Sequence, residues 1–338
     1  MGKLIELQNV KAYYKIGREL FVHAVDGASF SVEEGKILGI AGESGCGKTT
    51  LIKVCTASIK PPLTMVGGNV FYYVDGEKID LLALNEEELR RLRWEFFTVV
   101  PQAAMNSLNP VKKIGAIFSE TLRVCNKSMN KTESKEIVHE VLDNLGLPTE
   151  VLGMYPCQLS GGMKQRIVVA LATITTPRVI FSDEPTTGLD LVTQKGILQF
   201  LQEKVKATNS TLILVSHDMG IQAQVTDVLA IAYAGKVVEI GPTEEIFTNP
   251  LHPYTIGLIS SLPVIGDWSS KSALPGAPLS LIRPPRGCRF YSRCALAEDI
   301  CKRREPSLIE VQPNHYVACF KGGERVKGDK FGRRENLS

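Results

Sequence analysis

Residues 42–49 read Gly42-Glu43-Ser44-Gly45-Cys46-Gly47-Lys48-Thr49 and fit the pattern G-x-x-x-x-G-K-[ST]. Glycines let a backbone turn tightly enough for several N–H groups to converge on one anion. Lys36 to Ala41 is a short apolar run of buried-strand type, and a helix is expected from Thr49 to Ser58. Strand, glycine loop and helix in that order make a phosphate cradle, because the helix adds its positive N-terminal end. A chance glycine-rich turn would lack that context. We therefore expect residues 42–50, Thr50 included, to hold ATP. Lys48 is expected at the β- and γ-phosphates and the Thr49 hydroxyl on Mg²⁺.

A second element completes such a site. Val179-Ile180-Phe181-Ser182 is a mostly apolar strand run that ends in Asp183-Glu184. Asp183 suits Mg²⁺, and Glu184 suits the orientation of an attacking water. An apolar run ending in two carboxylates is by itself an ordinary solvated strand end. With a phosphate loop upstream it gains meaning.

The remainder of the chain alternates strands and helices, which argues for an α/β core. Leu4 to Tyr14 and Ala24 to Val32 read as strands, and so do Arg178 to Ser182 and Thr211 to Ser216. The middle, from about Asn85 to Thr176, has helical patterning. Its clearest case is Thr132 to Leu145, where Ile137, Val138, Val141, Leu142 and Leu145 share one face. Beyond Pro250 the texture changes: Pro253, Pro263, Pro275, Pro278, Pro284 and Pro285 interrupt any long element. We expect a C-terminal appendage there, followed by a polar, solvated tail over residues 321–338.

Composition narrows the function classes. No run of 18 or more apolar residues occurs, so a pore would have to come from another chain. Met1 to Glu6 lacks the apolar core of a secretory signal, and secretion is not expected. The net charge of +3 neither demands nor excludes a nucleic-acid partner. Eight cysteines without such a signal point to thiols or metal ligands rather than a disulfide framework.

Leu159-Ser160-Gly161-Gly162-Met163-Lys164-Gln165-Arg166 resembles the signature sequence of ATP-binding cassette (ABC) proteins, which other phosphate-loop ATPases lack. Further marks follow the family's order. Gln102, after the strand Phe97 to Val100, resembles the Q-loop. Gly188-Leu189-Asp190 resembles the D-loop, and His217 resembles the switch histidine. Tyr14 sits where the family places an aromatic that stacks on adenine, with Tyr13 as the alternative. Taken singly, each mark has a plain structural reading, such as a helix cap for Ser160 or a solvated residue for His217. Their combination and order carry the resemblance, over about residues 3 to 260.

The resemblance implies an ABC nucleotide-binding domain over residues 1–250. Its phosphate-loop core is RecA-like, with an N-terminal antiparallel β-subdomain and a helical subdomain at about 102–176. Gln102 would join Thr49 and Asp183 at Mg²⁺, and Glu184, His217, Gln102 and Lys48 would form the hydrolytic set. It also implies a two-chain active site. Ser160, Gly161 and Gly162 would meet the γ-phosphate held by a second cassette, with Asp190 alongside. The implied partners are a second ABC ATPase subunit, expected to be a distinct paralogue, two integral-membrane permeases and an extracytoplasmic solute-binding protein. The implied location is peripheral, on the cytoplasmic face of the cell membrane.

Cys288, Cys294, Cys301 and Cys319 form C-x5-C-x6-C-x17-C, and Asn249-Pro250-Leu251-His252-Pro253-Tyr254-Thr255 lies upstream. Both resemble the C-terminal extension, here residues 251–320, of the oligopeptide and dipeptide importer ATPases. That resemblance implies a [4Fe–4S] cluster. Four thiolates by themselves suit iron–sulfur or Zn²⁺, and the absence of tight C-x2-4-C pairs leans away from zinc. Four ordinary thiols are the remaining alternative. Ala295 stands where relatives often carry proline, which leaves every proposed ligand in place. A cluster so far along the chain from the ATP residues is expected to staple the appendage, not to take part in catalysis. The expected solute is a di- or oligopeptide, with oligosaccharides or nickel as alternatives. A soluble ABC ATPase acting on nucleic acid or ribosomes is disfavoured. The interval between phosphate loop and signature holds no sustained heptads, and the chain has one cassette.

Overall fold

The computed structural model describes residues 2–125, 129–262, 274 and 276–322. Pro263, Pro275 and the expected tail from residue 323 onward lie outside them.

Strands β1 (Lys3–Lys15) and β2 (Phe21–Glu33) pair antiparallel. Strand β1 does not keep one phase. Ile5 and Leu7 are buried, then Asn9 adopts left-handed backbone at φ 47° and the register slips against the neighbours on either side. Val10 and Ala12 are the next buried residues of that face. This bulge turns the inward phase from odd to even positions. Gly68 of a neighbouring strand backs it, since a Cβ there would lie 2.3 Å from the Asn9 carbonyl oxygen.

Strand β3 (Ile37–Ala41), buried throughout, leads through the 42–47 loop into helix α1 (Lys48–Cys55). The helix stops three residues short of the expected Ser58. Ala57 takes a left-handed φ of 48°, the Ser58 N–H donates to the Lys53 carbonyl at 2.7 Å, and the Thr56 hydroxyl donates to that of Ile52. Those bonds satisfy carbonyls at the end of the helix and turn the chain away. Strands β4 (Leu63–Val74) and β5 (Glu77–Asp80) then complete a four-stranded antiparallel sheet in the order β2-β1-β4-β5.

Helix α2 (Glu86–Leu92) opens on an Asn85/Glu88 capping box and precedes strand β6 (Phe97–Val100). The expected helical stretch supplies α3 (Ile114–Cys125), α4 (Lys131–Asn144) and α5 (Gly161–Thr173). Next come β7 (Val179–Asp183), α6 (Leu191–Thr208), β8 (Thr211–Val215), α7 (Met219–Val225), β9 (Val228–Tyr233) and β10 (Lys236–Pro242). The C-terminal region adds α8 (Thr243–Thr248), α9 (Pro253–Ser260), α10 (Asp299–Arg303), β11 (Ile309–Gln312) and β12 (His315–Val317).

The second sheet runs β11-β12-β10-β9-β3-β8-β7-β6. Its strands from β9 to β6 are parallel, and β3, β7 and β8 are buried along their whole length, as parallel strands covered on both faces must be. Three apolar clusters hold the elements together. One lies between this sheet and the helical stretch, and one between it and the antiparallel sheet. The third joins β9 and β10 to Tyr254 and Phe290 of the C-terminal region, with Cys288 and Cys294 packed against it. The region beyond Pro250 therefore packs on the eight-stranded sheet, and β12 pairs directly with β10. No helix among the described residues is long and apolar enough to cross a membrane.

Candidate ATP site

The 42–47 loop lies at the carboxyl end of β3, between neighbours on both sides, where open α/β sheets bind ligands. Two of its glycines are required. Gly42 has φ 150° and Gly47 has φ 107°; a Cβ on either would lie about 2 Å from the carbonyl oxygen of Ala232 or Ala24. Helix α1 begins with no side-chain cap, so its first N–H groups stay available to an anion. Lys48 is buried and its Nζ donates to the carbonyls of Gly42 at 2.8 Å and Glu43 at 3.0 Å, so the ammonium sits over the loop. Ser44, Gly45 and Cys46 complete the loop, and the Cys46 carbonyl accepts from the Gly235 N–H at 2.8 Å.

Asp183 ends β7, buried, with the Thr49 hydroxyl beside its carboxylate, where it opposes the effect of burial on the pKa. Its Oδ1 makes no hydrogen bond among the described residues, and burial pushes its pKa up. A buried carboxylate oxygen without a donor, beside a threonine hydroxyl at the phosphate loop, fits a hard cation brought with a nucleotide. Glu184 follows with a left-handed φ of 50°, uncommon for glutamate, and its N–H donates to the Val215 carbonyl at 2.9 Å. The side chain thereby turns to meet His217, whose Nδ1 lies 3.2 Å from Oε1, while the Thr187 hydroxyl donates to Oε2 at 3.1 Å.

Tyr14 and Tyr13 part company at the Asn9 bulge. The Tyr14 hydroxyl meets Thr50 Oγ1 at 3.1 Å, beside α1. Tyr13 faces the other way: its hydroxyl donates to Asp26 at 2.7 Å and its ring stacks on His23 at 4.1 Å. Gln102 is exposed after β6 and forms no hydrogen bond with Thr49 or Asp183 among the described residues.

Ser160 caps α5, its Oγ accepting from the Met163 N–H at 3.2 Å, and Asp190 caps α6 by accepting from Val192 and Thr193. Gly162 lies near Leu189 and Thr193, so these two helix starts are neighbours. Among the described residues, no hydrogen bond joins Ser160, Gly161 or Gly162 to the phosphate loop of the same chain. Two other residues of that motif have positions its spacing does not reveal. Buried Gln165 donates to the Pro185 carbonyl just after Glu184, and Arg166 donates to the carbonyls of Leu145 and Gly146 at the end of α4.

Cys288, Cys294, Cys301 and Cys319, spread over more than thirty residues, line one small cavity together with His252, Phe290 and Tyr291. Burial, and then the neighbouring thiols, pushes the Cys288 thiol up to about 11. The neighbouring thiols disfavour one another's ionisation. Among the described residues no group of three or more His, Cys, Asp or Glu is placed to hold a metal ion.

The same region reaches the phosphate loop. The Glu43 N–H donates to the Tyr254 hydroxyl at 2.9 Å, and Arg293 grips the Glu43 carboxylate through both terminal nitrogens at 2.8 Å each. Remoteness along the chain is therefore not remoteness in space. Neither residue was singled out from the sequence for the ATP site; the only signal was that both lie inside the two C-terminal motifs.

A glycine loop under a buried lysine, with a Thr–Asp pair and a Glu–His pair at adjacent strand ends, defines a phosphate-loop ATPase. The ABC transporter profile matches residues 25–187, and the profile of the oligopeptide/dipeptide transporter C-terminal region matches residues 238–301. The dipeptide transport ATP-binding protein DppD of Caldanaerobacter subterraneus subsp. tengcongensis is 42% identical over 94% of this chain and 97% of its own. The oligopeptide transport ATP-binding protein AppF of Bacillus subtilis is 37% identical over 94% and 96%. The dimeric ATP-binding cassette MJ0796, solved with ADP and Pi, superposes with a TM-score of 0.63 at 26% identity, covering 71% of this chain and 99% of that one. This chain belongs to the ABC transporter ATP-binding family, in the branch that carries the oligopeptide/dipeptide transporter C-terminal region.

Proposed function

We propose that the chain is the ATP-hydrolysing subunit of an ABC importer for di- or oligopeptides. The observation that carries this reading is the convergence of Lys48, Thr49, Asp183, Glu184 and His217 at the carboxyl ends of β3, β7 and β8. Its near full-length relatives bear the names of dipeptide and oligopeptide transport ATP-binding proteins.

Each residue has a role in that reading. The 42–50 stretch binds the triphosphate, Tyr14 stacks on adenine, and Thr49 and Asp183 hold Mg²⁺, which Gln102 joins on closure. Glu184 orients the attacking water and His217 holds Glu184 and senses the γ-phosphate. The signature Ser160-Gly161-Gly162 and Asp190 act on nucleotide held by a second cassette, most simply a distinct paralogue. Two features support this. The signature makes no bond to its own phosphate loop, and Leu191 and Val192, beside Asp190, are more than four-fifths exposed, as suits a surface that another subunit covers. ATP then favours the closed pair, and its cleavage opens it. The working units are a nucleotide-binding domain over 1–250, with helices near 102–176 facing a membrane partner, and an extension over 251–320. Two permeases and a solute-binding protein complete the importer, with this subunit peripheral at the cytoplasmic face.

The four cysteines hold a [4Fe–4S] cluster in this reading, and the cluster ties the extension together. Iron and labile sulfide, about four of each per chain, are expected after anaerobic purification; zinc, or neither metal, would remove the cluster. The importer reading is tested in proteoliposomes holding this chain with its permeases and second cassette. ATP turnover should rise when a peptide-loaded binding protein is added. A rise with nickel or an oligosaccharide instead, and none with peptide, would overturn the peptide assignment.

A further inference from the structure

The phosphate loop is held from outside by the C-terminal region, through one residue. Glu43 is the second residue of the loop, and all its polar groups are engaged. Its N–H goes to Tyr254 of α9, its carboxylate to Arg293, and its carbonyl accepts from Lys48 at 3.0 Å. Arg293 is itself fixed. Its side chain is 4% exposed, its guanidinium lies 5.7 Å from the Tyr233 ring centroid and 5.8 Å from that of Phe290, and it sits on the short turn that links Cys288 to Cys294.

A carboxylate this near a triphosphate site is an electrostatic liability. Unpaired, it would repel the nucleotide and could draw on the charge of Lys48, whose ammonium already bonds the Glu43 carbonyl. A two-pronged guanidinium contact neutralises it and fixes its direction. We propose that Arg293, assisted by Tyr254, is a positioning residue for nucleotide binding: it holds Glu43 aside so that the loop and Lys48 are set for the phosphates. This rests on the ATP reading of the 42–49 loop and adds to it a reason for the extension. Docking of the extension and nucleotide affinity become linked, because what orders Glu43 is supplied by the turn between two of the four cysteines.

The test is calorimetric titration of the full chain with MgATP. Arg293→Gln should weaken binding roughly tenfold, since it leaves a charged carboxylate unpaired. Arg293→Lys, which keeps the charge but not the two-pronged contact, should lose less, about threefold. Glu43→Gln placed on top of Arg293→Gln should recover affinity, because the repelling charge is then gone. Recovery separates positioning from general damage, which a second substitution would only deepen. Wild-type affinity in Arg293→Gln, or further loss in the double variant, would overturn the proposal. If Arg293→Gln does not fold, unchanged affinity in both Arg293→Lys and Tyr254→Phe would do the same. Failure of the underlying ATP reading looks different: the folded wild-type chain would itself not bind MgATP.

Discussion

Glu184 and His217 stand at the ends of two adjacent parallel strands and touch, His217 Nδ1 to Glu184 Oε1 at 3.2 Å. The contact depends on the left-handed backbone at Glu184, which carries the carboxylate out of the strand direction and towards the neighbouring strand end. Glutamate in that conformation costs of order 1 kcal/mol, a cost met by the Val215 and Thr187 bonds around it.

Glu184→Gln keeps the shape and loses the base. Turnover should fall by roughly 10²–10⁴, while ATP affinity stays near wild type. Light scattering should then detect an ATP-dependent pair. Normal turnover would show that Glu184 does not activate the water.

Lys48 is buried with its ammonium on the loop carbonyls. Lys48→Ala removes the nearest fixed cation from the phosphates and should cost about 3 kcal/mol of ATP binding, roughly a hundredfold, with little loss in melting temperature. Fluorescent-nucleotide titration measures it.

Ser160 caps α5, so its replacement has two separable effects. Ser160→Arg should lower stability by about 1 kcal/mol through the lost cap. The isolated chain should bind ATP as before, yet the assembled complex should lose hydrolysis because arginine blocks the facing nucleotide. Unchanged ATPase activity in the complex would remove the trans site.

Asp26 joins β2 to the extension, accepting from Tyr13 and from Arg289 while Lys236 stands near. Burial pushes its pKa up, but the Tyr13 hydroxyl and the cations of Lys236 and Arg289 outweigh it and hold the carboxyl below the usual range. Asp26→Ala leaves the buried Arg289 without its carboxylate and should cost about 3 kcal/mol in denaturant unfolding. The sign with pH follows from the lowered value. The unfolded chain takes up the proton first, so this contribution is present above pH 3.8 and is lost as pH falls below it. The gap between wild type and variant should close on that side only.

Much of this molecule is legible in its residue order because the chemistry is contiguous. Eight consecutive residues specify the phosphate loop, and apolar runs ending in Asp183-Glu184 and in Ser216-His217 specify two buried strands. Those are short-range choices, made by local backbone freedom and by periodicity. Which of Tyr13 and Tyr14 turns towards α1 is of another kind. Period-two alternation from Ile5 and Leu7 carries inward to Tyr13. The bulge at Asn9 reverses the phase, and Gly68 leaves the room beneath it that a Cβ would fill. The early end of α1 likewise follows from Ala57 adopting a conformation no local pattern announces.

The order of the strands, the pairing of β12 with β10, and the grip of Arg293 on Glu43 across 250 residues were settled by tertiary structure. A repeat of buried positions says that a segment has an inner face. It does not say which neighbour covers that face, since many partners bury equal apolar area. Only the ordered sheet brings two distant ionic groups to one point, where direction and distance, not residue type, decide whether they pair.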